Sequence, residues 1–219
     1  MKILKSINLI LILFTVLSIS AQTTQPTNAT ALLDEVAQKL EAYNTLKIEF
    51  NIYTDNGQTG KKENYAGLGL YKAGLYKLDV MGQIIFSDGK TNWSYLKDAE
   101  EVNITTNDPK QETLINPKNI LKNYKEDFKV TQIGDKFEKN RALLEVNLYP
   151  KQIDSKKFSM IVLKIDKTKK EIYSIKYVGK DGLTYTIEIN KFTANGNIND
   201  SDIKYSNALF PDAEIIDMR

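Results

Sequence analysis

YAGLGLYKAGLYKLDVMGQIIFSDGKTNWSYLKDAEEVNI, residues 65–104, decides the fold of this chain. Short runs of alternating apolar and polar residues are broken at Lys72-Ala73-Gly74, Met81-Gly82, Ser87-Asp88-Gly89-Lys90 and Lys97-Asp98-Ala99-Glu100. A tight hairpin turn needs positive φ, which glycine supplies, and Asp-Gly between alternating runs is a strong hairpin signal. Four such breaks in succession specify an antiparallel meander, since parallel neighbours need long crossovers. The alternating sets are Leu68/Leu70, Leu78/Val80, Ile84/Phe86, Trp93/Tyr95 and Val102/Ile104. A meander with an apolar face must cover it, and the cover decides the function.

Upstream, Leu32, Leu33, Val36, Ala37, Leu40 and Tyr43 recur at three- and four-residue spacing, an amphipathic helix over residues 31–44 with Asn28 or Thr30 as its cap. The period then drops to two: Leu46, Ile48, Phe50 and Ile52 alternate with polar residues, as on a half-buried strand. Downstream, Asn116 and Pro117 open a second short helix through Tyr124, with proline at the first helical position. It carries Ile115, Ile120 and Leu121 near one side. Strands resume at residues 128–133, 142–148, 158–166, 171–178 and 183–189, and residues 215–218 form a short closing strand. Residues 192–202 read as a polar loop. The expectation is one antiparallel sheet of about ten or eleven strands with two helical insertions.

Residues 1–21 read as a secretory signal peptide: Lys2 and Lys5, an apolar run, then Ser18, Ser20 and Ala21. The run is shorter than the ~20 residues of a spanning helix, which favours cleavage near Ala21 over a membrane anchor. The expectation is an exported, soluble, single domain over residues 22–219. The two leader lysines belong to the 30 basic residues, so 28 basic face 28 acidic in the mature chain. That neutrality gives no support for nucleic-acid binding.

The chain has no His and no Cys. Ser–His, Cys–His and His–zinc chemistry are thereby excluded, as is a lipid-modified cysteine anchor. Ser–Lys arrangements are the nucleophilic option that stays open, and no motif supports one. The oxygen-rich stretch 195–202 lacks the bidentate Glu and turn Gly of a calcium loop and reads as an ordinary polar loop. Asp98, Glu100 and Glu101 sit at a hairpin tip, where a solvated turn outweighs an acid/base pair. Trp93 and Tyr95 share a face, which fits a plain sheet core and a ligand cavity equally.

SDGKTNWSYL, residues 87–96, resembles the SDGKTLWFY-type segment of LolA, the periplasmic outer-membrane lipoprotein carrier family. Gly67-Leu68-Gly69-Leu70-Tyr71-Lys72 is similar to that family's preceding strand, and residues 215–219 to its closing segment. The resemblance implies a mainly β fold with a helical lid: an open half-barrel whose concave face is covered by short helices. It implies a non-enzymatic, cofactor-free, monomeric periplasmic carrier. Such a carrier takes acylated lipoproteins from an inner-membrane ABC exporter to an outer-membrane acceptor. A related half-barrel that binds or senses lipids is the alternative. On this reading the acyl-chain cavity is lined by Ile48, Phe50, Leu68, Leu70, Leu78, Val80, Ile84, Phe86, Trp93, Tyr95, Val102 and Ile104. Leu33, Val36, Leu40, Ile120 and Leu121 belong to the lid. Family members carry a latching Arg after the strand Lys; here Ala73 follows, leaving Lys72 as the candidate lid latch.

Overall fold

The breaks in the meander are hairpin turns. Ala73-Gly74 and Met81-Gly82 each hold two successive residues at positive φ (47° and 84°, 51° and 77°), the geometry whose twist matches the paired strands. At the next turn the Asp88 carboxylate accepts from the backbone N–H groups of Lys90 and Thr91 at 2.8 and 2.7 Å. A computed structural model describes residues 28–107 and 117–219. The leader, Ile115 and Asn116 lie outside the described residues.

In chain order the elements are α1 (Ala29–Glu41), β1 (Thr45–Asn56), β2 (Lys62–Lys72), β3 (Leu75–Val80), β4 (Gln83–Ser87), β5 (Thr91–Leu96), β6 (Glu101–Thr106), α2 (Pro117–Lys122), α3 (Tyr124–Asp127), β7 (Phe128–Glu138), β8 (Arg141–Pro150), β9 (Phe158–Asp166), β10 (Glu171–Gly179), β11 (Leu183–Ala194), α4 (Asp200–Ile203) and β12 (Glu214–Asp217). One open sheet contains all twelve strands, in the order β12-β6-β5-β4-β3-β2-β1-β11-β10-β9-β8-β7. Twelve replaces the ten or eleven expected, and the sheet is not wholly antiparallel. β12 runs parallel to β6, with Glu214 opposite Glu101 and Asp217 opposite Ile104. The chain reaches that edge by crossing the meander after β11, not through a hairpin, so nothing forces an antiparallel pairing.

The Asn28 side chain accepts from Thr30 N–H and Ala31 N–H at 3.0 and 3.4 Å, so α1 starts and stops earlier than the apolar stripe suggests. Tyr43 and Asn44 fall in the link to β1. The single helix expected to end at Tyr124 is two, separated by Asn123 in a non-helical conformation.

The expected polar loop at 192–202 is the largest departure. β11 continues to Ala194, and Asn199 and Asp202 form a reciprocal capping box on α4. Two of the oxygen-rich side chains, Asn199 and Asp202, are thus helix caps, and Asn195 Oδ1 accepts from Asn44 N–H at 3.0 Å. Ile198 and Ile203 are buried. Residues 195–213, α4 among them, form a strap across the sheet face opposite α1, α2 and α3.

Candidate functional site

Side chains opposite one another in neighbouring strands lie on one face of a sheet, so register assigns every residue to a side. Leu46, Ile48 and Phe50 of β1 face Tyr71, Gly69 and Gly67 of β2. These pair onward with Tyr76, Leu78 and Val80 of β3. The same face continues from β1 through Ile187 and Ile189 of β11, Ile175 and Tyr177 of β10, Ile161, Leu163 and Ile165 of β9, and Leu144, Val146 and Leu148 of β8. All of these β8–β11 residues are buried and share one core with Leu32, Leu33, Val36 and Leu40 of α1, Ile120 and Leu121 of α2, and Tyr124 of α3. The three helices are therefore a lid on an apolar floor.

The lid is tied down mainly along one side. Lys39 Nζ donates to Lys169 O at 2.7 Å and to Glu171 Oε1 at 3.0 Å, and Lys170 pairs with Glu35, all at the β9–β10 turn. Ala29 N–H donates to Gln132 Oε1 of β7 at 3.0 Å. Lys118 Nζ of α2 donates to Tyr43 O in the α1–β1 link at 3.1 Å, while from α3 Tyr124 OH and Lys125 Nζ, both at 2.8 Å, bond the Asp34 carboxylate of α1. On the side facing β2 and β3, a cleft of about 400 Å³ opens, lined by Tyr43, Leu46, Tyr71, Tyr76, Lys118 and the Ala73-Gly74 turn. That size is within the range of small-molecule sites. A second cleft of about 230 Å³ separates α1 from α2 at Ala37, Leu40 and Leu121.

The twelve side chains assigned above to one cavity do not share a face. Ile48, Phe50, Leu78 and Val80 lie on the helix side with all five lid residues. Leu68, Leu70, Ile84, Phe86, Trp93, Tyr95, Val102 and Ile104 lie on the opposite side. Met81-Gly82 is a two-residue turn, so Val80 and Gln83 are opposite and share a face. Ile84 and Phe86 must then point away from Val80. The strap covers this second face. Tyr205 stacks on Trp93 with ring centroids 5.3 Å apart, and Phe210 stacks on Tyr95 at 3.9 Å. Both present edges to Phe86 at 5.9 and 6.3 Å, while Ile198 and Ile203 pack on Leu70.

Lys72 is on the strap side too. Its ammonium donates to Ile198 O at 2.7 Å and Asp200 Oδ1 at 2.9 Å. Lys204 first and Lys72 second hold the Asp200 carboxyl down to about 2 by hydrogen bonds. Lys72 latches the strap, not the lid, because it shares a face with Leu70 two residues before it. The lid-side residues of β8–β11 were missed as site residues. Their strands are long apolar runs, and nothing in such a run marks one face as floor.

Two of the floor's details make predictions. A Cβ on Gly67 would lie 2.3 Å from Phe50 Cε2, so the Phe50 ring rests on the bare β2 backbone. Gly67→Ala should destabilise the fold by about 1–3 kcal/mol, the usual cost of overpacking. Phe50→Ala combined with Gly67→Ala should cost less than the sum of the single changes, read by urea midpoints in a double-mutant cycle. Additive losses would mean that the ring does not need the glycine.

The second detail concerns acid. Hydrogen bonds from Lys125 and Tyr124 hold the Asp34 carboxyl below the usual carboxylate range. A lowered native pKa contributes stability above the ordinary value, about 4, and the contribution is lost as pH falls through the lowered one. Amide exchange in α1 and α3, corrected for its intrinsic pH dependence, should be flat from about pH 7 to 5 and rise below about 4. Asp34→Asn should be fast at every pH.

A family model described as outer membrane lipoprotein carrier protein LolA matches residues 41–206. The chain belongs to the LolA family. Its match takes in the floor, α2, α3 and the first half of the strap. An uncharacterized conserved protein from Thermus thermophilus superposes with a TM-score of 0.58 at 10% identity, over 87% of this chain and 99% of that one. A LolA superfamily protein from Nitrosomonas europaea gives 0.42 at 10% identity, over 81% and 97%. LprF from Mycobacterium bovis gives 0.47 at 13% identity, over 78% and 95%. No curated protein sequence matches. At such identities the likeness of the Thermus structure is one of fold alone.

Proposed function

We propose that this chain is a periplasmic carrier that holds the acyl chains of lipoproteins between its helical lid and the floor of its half-barrel. The observation that carries the reading is the lid itself: three short helices on a continuous apolar floor, tied along the β7 and β9–β10 side with a cleft on the other. Leu32, Leu33, Val36, Leu40, Ile120 and Leu121 bury side chains against that floor. At about 2 kcal/mol each they are worth on the order of 12 kcal/mol. Shielding a ~16-carbon acyl chain is worth roughly the same, at about 0.8 kcal/mol per CH₂. Lid and a single acyl chain therefore compete on nearly equal terms, which makes both loading and release accessible to partners. The lid swings about its β7 and β9–β10 ties, and cargo enters beside β2 and β3.

On this reading residues 1–21 direct export and are removed near Ala21, and residues 22–219 act as one monomeric domain without catalysis. An inner-membrane ABC exporter loads the carrier and an outer-membrane acceptor unloads it. Native mass spectrometry of the exported protein tests the proposal. Co-purified acylated polypeptide is the expected finding. Protein that stays ligand-free when incubated with a synthetic diacylated lipopeptide would overturn it.

A further inference from the structure

The floor of the half-barrel changes character across the strands. One cross-strand row reads Ile48, Gly69, Leu78, Ile85, Ser94, Asn103 from β1 to β6, and the row beside it ends in Asn92 and Thr105. The half under the lid is apolar, while the half on β5 and β6 carries the amides and hydroxyls of Asn92, Ser94, Asn103 and Thr105, with Leu96 and Glu101 at its far end. Lys77 and Asp79, the charged residues of β3, point to the strap side, opposite Phe86 and Ile84. A third row ends in Glu101, the one charge on the β3–β6 part of this face.

This shelf is built rather than incidental. Tyr76 OH donates to Asn92 Oδ1 at 3.3 Å, Asn92 Nδ2 to Asn107 Oδ1 at 3.2 Å, and Asn107 Nδ2 to Gly89 O at 3.0 Å. That chain fixes one end of the shelf. Ser94 and Asn103 face each other directly across β5 and β6, half-buried, with no side-chain partner among the described residues. Their polar atoms stay open to water, so a ligand on the shelf can exchange that water for its own donors and acceptors.

We infer that Ser94, Asn103 and Thr105 bind the neutral polar junction of the cargo, the ester and amide groups that join acyl chains to a polypeptide. The inference rests on the proposed carrier function and adds what the carrier selects. Ester and amide groups match an uncharged shelf in donors and acceptors. A phospholipid phosphate does not: a desolvated anion needs Lys or Arg beside it, and the shelf has neither. Of the two lysines that line the adjoining cleft, Lys72 is paired with Asp200 and Lys118 donates to Tyr43 O, and neither lies on β5 or β6. Tyr76 joins the two halves, its ring in the apolar cleft and its hydroxyl on the shelf. The site is thus amphipathic along its length, with chains under the lid and junction on β5 and β6.

Competition binding with a fluorescent free fatty acid, a diacylated lipopeptide and phosphatidylglycerol in detergent tests this. Wild-type protein should bind the lipopeptide at least tenfold more tightly than phosphatidylglycerol. Ser94→Ala with Asn103→Leu, both on the open shelf, should weaken the lipopeptide about tenfold through two lost hydrogen bonds and leave the fatty acid unchanged. Equal affinity for the two lipids, or a double variant that keeps full lipopeptide affinity, overturns the shelf while leaving the carrier reading intact. A wild-type protein that binds neither fatty acid nor lipopeptide overturns both.

Discussion

Replacing Tyr205 and Phe210 together by serine is expected to lower stability by about 4 kcal/mol and to shift the emission of Trp93 to the red. Each ring is partly buried and stacks on an aromatic partner, so about 2 kcal/mol apiece is the expected loss. With a urea m-value of about 2 kcal/mol/M, the midpoint should fall by about 2 M. Trp93 is the only tryptophan in the chain, and its ring lies 5.3 Å from that of Tyr205. Its emission therefore reports the strap and no other element. The same fluorophore gives a second result in the wild-type protein. Adding a saturated fatty acid should leave Trp93 emission unchanged, because the sheet stands between it and the lid. A blue shift on ligand addition would place the occupied face under the strap and reverse the assignment of the two sides.

The hairpins, the amphipathic helix, the short second helix and the family are all legible in the sequence. Each depends on local signals: turn residues, a period of two, a period of 3.6, a ten-residue motif. The face on which a strand is covered is not local. Leu78/Val80 and Phe86/Trp93/Tyr95 are equally apolar sets, and composition cannot say that one meets helices and the other a strap. The two-residue turn at Met81-Gly82 did hold the answer, since it fixes Val80 and Gln83 on one side and Phe86 on the other. The strap stayed hidden for a different reason. Ile198, Ile203, Tyr205 and Phe210 are spaced by five, two and five, which matches no regular period, and Asn199 and Asp202 among the polar residues between them cap α4. The family resemblance points Lys72 to the lid. Its place in β2 gives it to the strap. The meander thus has two covers, and its β4–β6 half turns its apolar side away from the helices.

That division predicts opposite outcomes for two glutamates seventeen positions apart. Leu78→Glu should abolish lipoprotein release from inner-membrane preparations, while Tyr95→Glu should leave release within about twofold per folded molecule. Leu78 is fully buried, between Gly69 and Ile85 on the apolar part of the floor. A carboxyl there is either ionised beside an acyl chain or held neutral without hydrogen-bond partners, and either state costs several kcal/mol. Several kcal/mol is more than a hundredfold in affinity. Cargo and lid feel the same penalty, so the variant should also show fast amide exchange in α1. Tyr95 touches neither. Its ring stacks on Phe210, and a glutamate there frees that end of the strap and lowers stability without reaching the floor. Circular dichroism sets the folded fraction for each variant, so that lost fold is not counted as lost transport. Release abolished by Tyr95→Glu and kept by Leu78→Glu would mean that acyl chains lie under the strap, and the lid would then need another role.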